Sequence, residues 1–75
     1  MSLFNIKGRC CALGISVAKL FDETKKRASE RNSKFDGVTY EMFSNMHRGR
    51  YNYGIGPEFI SIANEILQEW EQNKA

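Results

Sequence analysis

Between Gly56 and Trp70, apolar side chains recur at Phe59, Ile62, Ala63, Ile66, Leu67 and Trp70. Steps of three and four residues gather all six onto one face of an α-helix. Gly56-Pro57-Glu58 supplies the start: proline suits the first turn, where its missing N–H is no loss, and an acid suits the positive end of the helix dipole. The stripe reads as core and has no need of a cofactor. A chain of 75 residues has material for one core only. Everything before Gly56 must therefore fold over this helix as a single domain spanning residues 1–75.

The preceding sequence supplies further helices. Leu3, Ile6, Cys10 and Leu13 recur at helical spacing, with Ser2 as N-cap and Gly14 as the stop. Gly8 weakens this helix, which must then depend on packing. Ser16 is the N-cap of a second helix, whose inner face is Val17, Leu20, Phe21, Thr24 and Ala28 and whose other face carries Lys19, Lys25, Lys26, Arg27 and Arg31. Residues 32–37 read as a loop with Phe35 as its one apolar tether. Thr39 can cap a third, short helix with Met42, Phe43 and Met46 inward, although Val38 to Phe43 is rich enough in β-branched and aromatic residues to fit a strand equally. Gly49 ends that segment in either case, and residues 50–56 form a glycine-broken loop. The fold class expected is all-α, a small domain of four to five helices.

Composition narrows the setting. Apolar residues make up 41% of the chain and charged residues 27%, as in folded globular domains. No stretch is long and apolar enough to cross a membrane, and the first residues lack the apolar centre of a secretory signal. The expected location is the cytoplasm. Cys10 and Cys11 are adjacent and cannot form an unstrained bridge; with His47 as the one histidine, the ligands of a zinc site are missing. No metal and no cofactor are expected, and the thiols read as buried or half-buried helix positions. Charge is unevenly placed: Met1 to Tyr53 holds ten Lys or Arg against five acids, whereas Gly54 to Ala75 holds one Lys against four Glu. The split, +5 against −3, suggests a basic face and an acidic end.

The order of the pieces is informative. A helix carrying Ile6-Lys7-Gly8-Arg9 ends at Gly14-Ile15-Ser16; a second helix follows; then comes Gly37-Val38-Thr39-Tyr40-Glu41-Met42-Phe43-Ser44-Asn45-Met46-His47-Arg48-Gly49-Arg50, and an amphipathic helix closes the chain. This order resembles the lambda-repressor/Cro-like helix-turn-helix family of phage and plasmid regulators. There a small turn precedes the recognition helix, which often ends in a short basic stretch containing glycine. The resemblance implies a homodimer on a palindromic site, working as a repressor. In that family a turn of a few residues joins the second and third helices, whereas here Ser16 and Thr39 stand twenty-three positions apart. An extended second helix, an extended connection or both must span the distance.

The residues make a physical case of their own. With Met42, Phe43 and Met46 inward, residues 39–48 present Thr39, Tyr40, Glu41, Ser44, Asn45 and Arg48 as candidate base readers. Asparagine pairs with adenine, arginine with guanine, and a carboxylate accepts from cytosine. Ser16, Lys25, Lys26, Arg27, Arg50, Tyr51, Asn52 and Tyr53 are candidates for the DNA backbone. Tyr51 and Tyr53 could instead pack on the core or form a small wing. Ile60 and the region of Ala75 are candidates for the dimer surface. Double-stranded DNA and a second copy are thus the expected partners, with no membrane and no small-molecule substrate. No enzyme is expected: His47 has no carboxylate at a telling spacing, and Gly54-Ile-Gly-Pro lacks the strand and lysine of a phosphate loop. Two other readings stay open, a helical protein-interaction module such as a phage-encoded inhibitor or assembly factor, with tyrosine and arginine as anchors, and a helical domain whose basic face serves only solubility. The DNA reading requires residues 39–48 to be helical; a strand there would favour the interaction module.

Overall fold

A computed structural model of the protein describes residues 3–50 and 54–74. The described residues form four α-helices and two short 3₁₀ turns, with no strand among them. After the turn Leu3–Asn5 come α1 (Ile6–Leu13), α2 (Val17–Arg31), the turn Ser33–Phe35, α3 (Tyr40–His47) and α4 (Gly56–Lys74). No helix among them is long and apolar enough to cross a membrane.

α4 is the element against which the rest is built. It packs on α1, α2 and α3, most extensively on α2. Phe59, Ile62, Ala63, Ile66 and Leu67 are buried as their spacing requires, and Trp70 is half-buried at the edge. Phe59 sits at the centre of a ring cluster. Its centroid lies 5.7 Å from Phe43, 5.9 Å from Phe35 and 6.2 Å from Phe21. One side chain of α4 therefore holds α3, the connection before it and α2 at once. Thr24 is buried in this core without an orphaned hydroxyl, because its Oγ1 donates to the Leu20 carbonyl at 2.7 Å.

The helix ends follow local chemistry. The Ser16 hydroxyl accepts from the Lys19 N–H at 3.0 Å, and the Thr39 hydroxyl from the Met42 N–H at 3.2 Å. α1 and α3 stop in the same way. Gly14 takes φ +73, with Gly14 N–H bonded to Cys11 O and Ile15 N–H to Cys10 O. Gly49 takes φ +83, with Gly49 N–H bonded to Met46 O and Arg50 N–H to Asn45 O. Each is a paired closure around a left-handed residue, which glycine adopts without steric penalty.

Four expectations need correction. The first helix starts at Ile6 rather than Leu3, because Phe4 and Asn5 are left-handed (φ +57 and +51) and cannot belong to a right-handed helix; Ser2, expected as its cap, lies outside the described residues. The connection between α2 and α3 has two apolar tethers, Phe35 and Val38, both buried. It is further braced by Asn32, whose side chain accepts from the Lys34 N–H at 2.9 Å. Ile60 is 1% exposed and belongs to the core, so it offers nothing to a dimer surface; Ala75 lies outside the described residues. The thiols, expected to be buried or half-buried, divide: Cys10 is buried on the inner face of α1, whereas Cys11, the next residue round the helix, is exposed.

Candidate functional site

The segment expected to be either helix or strand is helical over Tyr40–His47, with Thr39, itself extended, as its N-cap and Arg48 as its C-cap. Phe43, Met46 and His47 are buried and Met42 is half-buried against the core. That burial defines the outer face. Glu41, Ser44, Asn45 and Arg48 stand at i, i+3, i+4 and i+7, the spacing of one helical stripe. Glu41 and Arg48 are exposed and Ser44 and Asn45 half-buried. The other two candidates stand apart. Thr39 uses its hydroxyl oxygen on the helix cap, and Tyr40 meets the Phe21 ring edge-on at 5.7 Å while remaining 47% exposed.

One of the cations expected to hold a DNA backbone, Arg27, is drawn into the contact between α2 and α4. Arg27 is engaged by Glu69 at 2.7 Å and 2.9 Å, on the side of α2 that faces α4. Arg31 pairs with Glu65 at 2.7 Å, and Lys34 with Glu58 at 3.0 Å. In α1, Arg9 reaches Glu71 at 2.8 Å and Asn64 at 2.6 Å and donates to the Phe4 carbonyl at 3.1 Å. The basic and acidic halves of the sequence thus neutralise each other across helix contacts, and the predicted acidic end is not a free acidic surface. Glu58, Glu65, Glu69 and Glu71, all on α4, each have a cationic partner.

What remains basic lies partly around α3. Lys25 follows Phe21 by one turn of α2, and Phe21 meets both Tyr40 and Phe43 of α3. Lys7 is close enough for its charge to act on His47. Arg48 and Arg50 are exposed at the C-terminal end of α3, where the Gly49 closure folds the chain back. Lys26 is exposed on the outer side of α2, and Ser16 is exposed at that helix's N-terminus. Tyr51, Asn52 and Tyr53 lie outside the described residues.

His47, not among the residues expected to face inward, is 4% exposed, and its Nδ1 has no hydrogen-bond partner among the described residues. Burial, then the charges of Arg48 and Lys7, hold its pKa below the ordinary histidine value. Its signal was available in the spacing: position 47 follows Phe43 by four, which puts it on the inner face. Among the described residues no group of three His, Cys, Asp or Glu is placed to hold a metal ion. No protein-family model, no curated protein and no solved structure matches the chain.

Proposed function

We propose that this protein binds double-stranded DNA without catalysing a reaction, with α3 as the helix that enters the major groove. The observation that carries the reading is the stripe Glu41, Ser44, Asn45 and Arg48 on the outward side of a helix that is capped at both ends and backed by buried Phe43 and Met46. An isolated eight-residue helix would be marginal in water; packing on α2 and α4 gives it the rigidity that base reading requires. Lys7, Lys25 and Arg50 flank the stripe as phosphate contacts. The resemblance to helix-turn-helix regulators agrees with this reading, and it extends it to a cytoplasmic repressor acting as a homodimer on a palindromic site. Selection of bound sequences from a random duplex pool tests it directly: enrichment of a defined motif is the expected result, and recovery of unenriched sequence at every salt concentration would end the base-reading role.

The ion pairs favour a second reading. With four cations neutralised by α4, the long-range field that draws a protein to DNA is weaker than the sequence suggests. In a protein-interaction module, α3 and half-exposed Tyr40 would meet a protein partner instead. Failure to retard random duplex even at low salt, where the phosphate contribution is largest, would select that reading.

A further inference from the structure

His47 is the last residue of α3, buried against the Phe43 ring at 5.5 Å between centroids. A neutral imidazole can occupy such a place, but an imidazolium there would be largely desolvated and without a counter-ion among the described residues. The charged groups of the described residues around it offer no counter-ion. Arg48 follows it directly and Lys7 reaches it from α1, both cations. On α4, the glutamates at 58, 65, 69 and 71 are held by Lys34, Arg31, Arg27 and Arg9. On α2, the side turned to α3 carries Phe21 and then Lys25, while Asp22, Glu23 and Glu30 are exposed. Glu41 lies on the outer stripe of α3 itself, and the Leu3–Asn5 turn has no titratable side chain.

That turn packs on α3 and is already under strain. Phe4 and Asn5 are consecutive left-handed residues that are not glycine, a conformation L-residues rarely take. Phe4 contributes little burial in return, its side chain standing half exposed. Its described hold is the Arg9 side chain on its carbonyl.

We propose that His47 is a protonation-controlled latch: proton uptake drives the imidazole toward water, and the C-terminal end of α3 and the Leu3–Asn5 turn separate together. The sign follows from linkage. The folded state takes up its proton at a lower pH than the unfolded chain does, so the closed arrangement keeps its full contribution above the ordinary histidine value of about 6.5 and loses it as pH falls below that. The consequence for binding rests on the proposed role of α3. Added positive charge near DNA would ordinarily strengthen binding, but an opened latch removes the fixed geometry of Arg48 and Arg50, so sequence-specific affinity falls on acidification.

Nuclear magnetic resonance of the full chain, titrated from about pH 8 to about pH 5, decides the latch without reference to DNA. The expected result is an imidazole midpoint below the ordinary value, with amides at 3–5 and 46–50 shifting at the same midpoint and losing exchange protection. In His47→Gln, which keeps an uncharged polar side chain, that step disappears. An imidazole that titrates at or above its ordinary value, or titrates while α3 stays unchanged, overturns the proposal, and the wild-type titration decides even where the variant does not fold. Fluorescence anisotropy with duplex from the random-pool selection then separates the two claims. Affinity lost at low pH by the wild type but not by His47→Gln supports the latch in function. Absence of duplex binding at any pH removes the DNA reading and leaves the latch to the resonance data.

Discussion

Arg27 on α2 and Glu69 on α4, forty-two residues apart in sequence, meet in a two-pronged pair with hydrogen bonds of 2.7 Å and 2.9 Å. Arg31 and Glu65 repeat the arrangement one turn further along, and Arg27 also approaches Glu65 at 3.8 Å. The pairs give the α2–α4 contact a charged border beside its apolar centre. They fix which faces of the two helices meet more than they add stability, since exposed pairs are screened by water and salt.

The border sets the response to acid. The hydrogen bond from Arg31 holds the Glu65 carboxyl below the usual carboxylate range; Arg27 does the same for Glu69, and Arg9 for Glu71. Such groups bind fewer protons folded than unfolded, so their contribution is complete above the ordinary glutamate value of about 4.3 and is lost as pH falls through the folded value. Thermal melts at low salt should show Tm falling in that acidic range. The triple variant Glu65→Gln, Glu69→Gln, Glu71→Gln should fall less steeply there. Parallel curves for the two proteins would show that the pairs are not coupled to folding.

Phe59 makes a sharper prediction. It touches rings from α2, α3 and the connection between them, and it is fully buried. Phe59→Ala leaves a cavity where three elements meet and should cost about 3–5 kcal/mol, read as a lower urea midpoint. In a domain this small that is a large share of the total stability, so α3 should loosen in the same variant. A loss below about 0.5 kcal/mol, the size expected of a surface substitution, would mean that the cluster is not the centre of the core.

The places where sequence reasoning succeeded and failed divide along physical lines. Helix stripes and caps depend on neighbours within four residues, which is why Phe59 to Leu67, Ser16, Thr39, Gly14 and Gly49 behave as their spacing and chemistry require. The pairing of Arg27 with Glu69 and of Arg9 with Glu71 depends on which helices lie side by side, a relation no local pattern contains. Phe4 runs against its own preference, and a phenylalanine in a left-handed conformation is visible only once Arg9 is seen to hold its carbonyl. The candidate site was legible as a face of α3, but the half-burial of Ser44 and Asn45 and the withdrawal of Arg27 required the tertiary structure.

The two ends of α3 can be weakened separately. Thr39→Ala removes the acceptor for the Met42 N–H and should cost about 1 kcal/mol, whereas Thr39→Ser should retain most of it. Gly49→Ala forces a side chain into φ +83 and should cost about 1–2 kcal/mol. Denaturation midpoints measure both. Gly49→Ala should also disturb the Arg50 N–H bond to the Asn45 carbonyl, seen as faster amide exchange at Arg50. Unchanged exchange there would show that the closure does not depend on glycine.

The stripe proposed to read bases and the cations that flank it should fail in different ways. Asn45→Ala and Arg48→Ala remove groups that can form paired hydrogen bonds with base edges, so each should cost about 1–3 kcal/mol on the selected duplex and relax preference at one position. Lys25→Ala and Arg50→Ala should instead weaken selected and random duplex alike and reduce the salt dependence by about one unit of slope for each phosphate no longer neutralised. Arg27→Ala is the control: its guanidinium is engaged by Glu69, so duplex affinity should change less than for Lys25→Ala even where stability drops. Titrations of all five variants at two salt concentrations distinguish these patterns. A loss for Arg27→Ala as large as that for Lys25→Ala would mean that the pair opens on binding, and the cationic surface would then include the α2–α4 border.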